Sequence, residues 1–251
     1  MRLPVKLMAA VSLCATLGAA GPALADPDAL AKIVEGKCVP DQQANNKPGP
    51  CVLVDLPGHY AVLKDLVGAT QYLLIPTEKL DGIEAPELEQ PGAVNYFEAA
   101  WQARRFIEQS AGKPVPRDVV GLAINSVKGR TQNQFHIHVD CMRADVLTAL
   151  KTADASIGTT WAPLPAALAG HPYQAMRVEG ADLSQVNPFA LLASGIPAAG
   201  ADMGDETLVA VAATFGDGKD GFYLFSDRAD IIHGDFGSGE ELQDHDCAVL
   251  K

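Results

Sequence analysis

The sequence predicts an α+β fold, an antiparallel sheet with one well-formed helix packed across it. Three observations predict it. Residues 134–140, Gln-Phe-His-Ile-His-Val-Asp, alternate polar and apolar, which is the period of a half-buried strand. Residues 95–110 set Tyr96, Phe97, Ala100, Trp101, Ala103 and Ile107 in a broad apolar stripe at helical spacing, stopped by Gly112 and Pro114. The apolar runs 60–63, 71–75, 119–125, 174–179, 207–215 and 222–225 have strand length and are separated by turn-forming stretches.

In chain order, residues 1–25 read as a secretory signal. Arg2 and Lys6 form the positive start, residues 7–17 the apolar stretch, and Ala23-Leu24-Ala25 a small-x-small cleavage site. An uncleaved membrane anchor is the alternative, because residues 7–25 are just long enough to span. Removing the segment takes away Arg2 and Lys6 and no acids. The net charge then moves from −12 to −14, which argues against a nucleic-acid surface. With 251 residues and 48% apolar composition, the chain is long enough for a sizeable core.

Beyond residue 25, four cysteines remain: Cys38, Cys51, Cys141 and Cys247. An even number in an exported chain points to disulfides. Of the three pairings, Cys38–Cys51 with Cys141–Cys247 is the expected one; a free, buried Cys141 is the alternative. Residues 26–36 form a short helix with Leu30, Ile33 and Val34 on one side, and the Cys38–Cys51 stretch reads as a polar loop. Residues 60–63 and 71–75 pair across a turn near Gly68. Residues 79–92 are a Pro-punctuated connection before the main helix. After Arg143 the composition shifts. A short helix begins near residues 147–150, residues 159–171 are irregular, and Gly216-Asp217-Gly218-Lys219-Asp220-Gly221 is a strong turn cluster between two strands.

The histidine strand carries the chemistry. Alternation places Gln134, His136, His138 and Asp140 on one face, roughly 6–7 Å apart in succession. Residues 119–125 form the preceding strand, and an antiparallel hairpin brings Asn125 and the amides of the 126–133 loop back beside both histidines. Gln132, Asn133 and Gln134 offer side-chain amide donors, and Lys128, Arg130 and Arg143 are the nearby cations. A second reading of the same residues is a metal site on His136, His138 and Asp140. His59, His171, His233 and His245 have no ligand spacing. His245 approaches the site only if Cys247 is bonded to Cys141.

Asn125, ten intervening residues, then His136-Ile137-His138 resembles the active-site hairpin of the histidine-triad (HIT) superfamily. Residues 122–126 and 133–138, followed by Cys141, are most similar to the bacterial CDP-diacylglycerol diphosphatase family, and the likeness runs through the closing residues 240–247. The third histidine of the triad is replaced by Asp140, and Gln71 stands where the superfamily often has a histidine. The resemblance implies a HIT-like catalytic unit over 26–150 and a mostly β extension over 151–251, with a degenerate second HIT-like half as the alternative for the extension. It implies hydrolysis of CDP-diacylglycerol to CMP and phosphatidate, with His138 as nucleophile forming a nucleotidyl-histidine. A backbone carbonyl would fix the His138 tautomer, and His136 would hold the strand geometry. Asn125, Asn133, Gln134, Gln132, Asp140 and Arg130 are the expected substrate contacts. No cofactor and no metal are expected. A membrane surface is the expected partner and the cell envelope the expected location; residues 162–168 and 189–199 are read as core packing, with a lipid-side wall as the alternative. General hydrolysis of nucleotide anhydrides is the neighbouring alternative.

Overall fold

A computed structural model describes residues 26–251; the export segment expected over 1–25 lies outside them. The described strands form one sheet, antiparallel at every pairing. In chain order they are β1 (Leu53–Asp55), β2 (Tyr60–Lys64), β3 (Tyr72–Pro76), β4 (Val120–Ile124), β5 (Ile137–Met142), β6 (Ala162–Pro163), β7 (Gln174–Glu179), β8 (Glu206–Thr214), β9 (Asp220–Arg228) and β10 (Gln243–Asp244). Their spatial order is β1-β2-β3-β5-β4-β8-β9-β7-β6. The short β10 takes over the edge of β5 where β3 leaves it: β3 pairs with residues 137–139 and β10 with Cys141 and Met142. The predicted α+β class holds, and the strands read from alternation are present. Edge strand β1 was not legible, because Leu53-Val54-Asp55 is too short to show a period.

The main helix is two pieces, α1 of the sheet-covering layer (Tyr96–Ala103) and α2 (Arg105–Ala111). Asn95 caps its start by accepting from the Glu98 amide, and Gly112 ends it in the left-handed conformation that glycine adopts without a Cβ penalty. Phe97, Trp101 and Ile107 pack on Leu122, Ile137, Val139, Leu208, Phe222 and Leu224. Trp101 meets Phe222 edge to face at 5.0 Å. Each such side chain, once buried, stabilises the fold by roughly 2–3 kcal/mol. Residues 189–199 belong to this core, as the core-packing reading expects, and do not form the alternative lipid-side wall. They form helices α3 (Pro188–Gly195) and α4 (Pro197–Ala201), with Phe189, Leu192 and Ala199 buried. An apolar run long enough to cover a sheet face is drawn onto it in preference to solvent.

The opposite face of the sheet carries two separate clusters. One lies over β1–β3 and contains Leu30, Val34 and Cys38. Here the expected loop is helical as far as Asn45. Pro40 has no N–H to give the Gly36 carbonyl, and the helix passes through a π turn at Val34–Cys38 before continuing over Val39–Asn45. The other cluster lies over β8 and β9 and includes Val146, Leu150, Ile157, Leu168 and Tyr173. Between the two clusters β5 turns His138 and Asp140 toward the C-terminal segment, which folds across them.

Candidate active site

The disulfides Cys38–Cys51 and Cys141–Cys247 are both formed. The second ties the chain end to β5, so that β10 and His245 lie against the histidine strand. Gly68 makes room for this. It sits at φ +66° in the β2–β3 turn, and a Cβ there would lie 2.3 Å from the His245 Cβ. The Ala69 and Thr70 amides then donate to the His245 carbonyl, at 2.8 and 3.1 Å. Gln243, on β10, donates through Nε2 to the carbonyls of Gly121 and His138. The C-terminal strap is thus pinned on both sides of His138.

His138 and His136 are buried, and their rings stand edge to face at 4.8 Å. The β4–β5 register pairs Ala123 with His138, which carries Asn125 to the same face as the histidines, as the hairpin predicted. The group that organises them was not legible in the sequence. It is Glu240, whose Oε1 accepts from Gln71 Nε2 at 3.0 Å and whose Oε2 accepts from Asn125 Nδ2 at 3.2 Å. The Glu240 amide donates back to Asn125 Oδ1 at 3.2 Å. Glu240 Oε1 lies 3.4 Å from His138 Nδ1 and 3.5 Å from His245 Nε2. Burial pushes the Glu240 carboxyl up, but His138, Gln71 and Asn125 outweigh it and hold it below the ordinary value.

The expected backbone acceptor for His138 is found at its neighbour: His136 Nδ1 lies 2.7 Å from the Gln134 carbonyl. His138 Nδ1 faces the Gln71 Nε2 amide at 2.7 Å and, beyond it, Glu240. The Gln71 amide hydrogens face both groups, so in the resting network Nδ1 accepts. His138 Nε2 is buried without a partner among the described residues. The carbonyl serves His136 because that residue lies just before β5, where the local chain bends Gln134 O toward its own ring. His138 sits inside the ladder, where its neighbours' carbonyls are used by β3 and β4.

Asp140 does not face the histidine pair as a ligand. Its Oδ1 accepts from Thr70 Oγ1 at 2.7 Å and from the Cys141 amide at 2.8 Å, and its Oδ2 lies 2.9 Å from His245 Nδ1. Burial pushes Asp140 up while these bonds pull it back. The bond from Asp140 holds His245 above its ordinary value. The conditional placement of His245 is therefore met: its ring pairs with Asp140. Both Asp140 oxygens are engaged, so the alternative of a metal held by His136, His138 and Asp140 finds no converging ligand set here.

The loop residues divide. Gln132 caps the N-terminal helix region, accepting from the Leu30 amide and donating to Asp26 O. Asn133 is exposed, its amide bonded to Pro27 O. Gln134 is buried and donates to Glu78 O. Arg130 is clamped on Glu84 by two bonds of 2.6 Å. Lys128 pairs with Asp205 and Arg143 with Asp145. Of the expected substrate contacts, the fold gathers Asn125 and Asp140 around His138 and turns Gln132, Asn133, Gln134 and Arg130 to other partners.

Burial pushes the His138 imidazole down to about 4, with His136 adding to the effect and Glu240 opposing it; burial also lowers His136. His138 is therefore neutral and lone-pair bearing at neutral pH. A folded value below the unfolded one of about 6.5 means that the unfolded chain binds the proton first. Stability is full above pH 6.5 and falls by about 3 kcal/mol as the pH drops through 4. Denaturant melts of the wild type and His138→Gln should accordingly converge by about that amount between pH 7 and 4. Parallel curves would show that His138 is not the group responsible.

The fold and this site define a class, an α+β protein that presents a buried neutral imidazole pair among amide donors, suited to attack on phosphorus. The sequence pattern of the family described as CDP-diacylglycerol pyrophosphatase matches residues 25–251, and the chain belongs to that family. It is a hydrolase acting on a phosphoric anhydride, and CDP-diacylglycerol is the family's substrate. The two disulfides fit an oxidising compartment. No helix among the described residues is long and apolar enough to cross a membrane.

Proposed function

We propose that the protein cleaves CDP-diacylglycerol by way of a nucleotidyl-histidine on His138, in a HIT-like unit over 26–150 completed by the extension 151–251. The observation that supports this most is Glu240 at 3.4 Å from Nδ1 of a buried, neutral imidazole whose Nε2 has no partner among the described residues. Phosphoryl oxygens of the substrate take over the amide hydrogens of Gln71 and Asn125. With the Gln71 amide withdrawn, the Nε2 proton of His138 passes to solvent and a solvent proton enters at Nδ1, so that Nδ1–H donates to Glu240 and Nε2 carries the lone pair. Nε2 attacks the nucleotide-side phosphorus, a P–N bond forms, and the bond to the phosphatidate oxygen breaks. The imidazolium formed is balanced by the Glu240 carboxylate. Water attacks the same phosphorus, the P–N bond breaks, CMP leaves and the water proton is released.

One observation favours a second assignment. His136 already has its Nδ1 fixed by a backbone carbonyl, which leaves its Nε2 as the lone-pair nitrogen. The proposal also places the protein in the cell envelope and on a membrane surface, where the exposed Ile231, Ile232 and Phe236 would rest. The test is turnover of CDP-diacylglycerol carried in vesicles. CMP and phosphatidate should form in equal amounts, part of the protein should sediment with the vesicles, and an added alcohol should divert CMP into its ester without slowing phosphatidate release. Inversion of configuration at a chiral phosphorothioate on the nucleotide-side phosphorus, the mark of a single displacement, would reject the covalent intermediate.

A further inference from the structure

Outside the histidine site the fold buries a second set of charged groups that the proposed hydrolysis does not use. Asp227, near the end of β9, and Asp235, in the strap, are 3% and 4% exposed. His171, from the turn before β7, brings a ring nitrogen to them, and the ligand atoms of His171, Asp227 and Asp235 all lie within 4.8 Å of one another. A fourth donor adjoins them: Glu241 Oε1 is 2.8 Å from His171 Nδ1 and accepts from Tyr173 OH at 2.9 Å. Asp227 Oδ2 is buried and has no partner among the described residues. The next cation along the strand, Arg228, is bonded to Asp205 and Glu206. Two buried carboxylates side by side, with a third at the edge and no lysine or arginine among them, are strongly unfavourable unless a cation or a proton lies between them.

We propose that His171, Asp227, Asp235 and Glu241 form a binding site for a divalent cation. One imidazole with several carboxylate oxygens suits Mn²⁺ or Zn²⁺ better than Ca²⁺ or Mg²⁺, which take all-oxygen sets. A cleft bounded by Gly170, His171, Pro172, Asp230 and Asp235 opens the group to solvent and gives an ion its way in. The consequence lies in the chain path. Asp235 and Glu241 bracket the residues that carry Glu240, so the cation staples the strap to β9 on one side of His138 as the Cys141–Cys247 disulfide staples it on the other.

The rival occupant is a shared proton. Burial and the neighbouring Asp235 push the Asp227 carboxyl up to about 8, which describes the cation-free state. The experiment is equilibrium dialysis of the whole protein, stripped with chelator, against Zn²⁺ and Mn²⁺ separately, followed by thermal melts. One ion per chain should bind, and the melting temperature should rise by roughly 5 °C at saturating metal. Asp227→Asn and His171→Gln should each remove the binding and the metal-dependent rise. Asp227→Asn should also melt no lower than the metal-free wild type, because it relieves the carboxylate pair. Binding that survives both substitutions, or no binding by the wild type, would overturn the proposal; in the second case a higher melt for Asp227→Asn identifies the shared proton. The readouts are metal content and melting temperature, so the result stands apart from the assignment of the nucleophile.

Discussion

Turnover of CDP-diacylglycerol falls by about 10⁴ or more in His138→Ala, with the fold retained by circular dichroism. The expectation rests on what the substitution removes. Glu240 lies 3.4 Å from His138 Nδ1, where it can balance an imidazolium, and no other imidazole of the described chain lies closer to it. Without the proposed nucleophile, what remains is the electrostatic help of Gln71 and Asn125. Glu240→Gln keeps hydrogen bonds to those amides but cannot balance an imidazolium, and it should slow turnover by a smaller factor, roughly 10². Loss of activity in His136→Ala combined with retention in His138→Ala would reverse the assignment and make His136 the nucleophile.

The second large effect is on stability. The double substitution Cys141→Ala with Cys247→Ala opens a bridge spanning 106 positions, while Cys38–Cys51 spans 13. In the chain-entropy account, cross-links of those lengths restrict the unfolded chain by about 5 and about 3 kcal/mol respectively. For a chain of this size the first corresponds to a fall in melting temperature of roughly 10–15 °C. The two bridges should also differ in kind. Loss of Cys141–Cys247 frees β10, His245 and Glu240 from β5, so turnover should drop even well below the melt. Loss of Cys38–Cys51, which lies in the cluster over β1–β3, should lower the melt and leave turnover near wild type at low temperature. Equal effects on turnover would show that the strap holds its place without the bridge.

Much of this molecule is legible one stretch at a time. Period-two alternation places His136 and His138 on one face and Ile137 and Val139 in the core, because side chains on an extended, pleated chain must alternate. The helical stripe of Tyr96, Phe97, Ala100 and Trp101 and its glycine stop were read the same way. The errors have equally local causes. The Cys38–Cys51 stretch looked like a loop because its polar residues and Pro40 hide a helix that a π turn rescues. For the apolar residues 189–199 core packing is the expected reading and a lipid wall the alternative, because composition alone does not say which apolar surface a run will cover.

Residue order suffices for the α+β class, the face on which His136, His138 and Asp140 stand, the partner strand that carries Asn125, and the family the chain belongs to. The tertiary structure alone decided what those groups do to one another. Glu240 and His245 reach His138 and Asp140 from about a hundred residues away, and neither carries a local signal. Their approach depends on β10 finding the end of β5, on Gly68 leaving space and on the Cys141–Cys247 bridge. The same holds for His171, Asp227, Asp235 and Glu241, which come from three stretches of chain: the turn before β7, the end of β9 and the strap. A periodic pattern reports which side of an element faces the core; which distant elements meet there is set by strand register and packing, and those exist only once the whole sheet has formed.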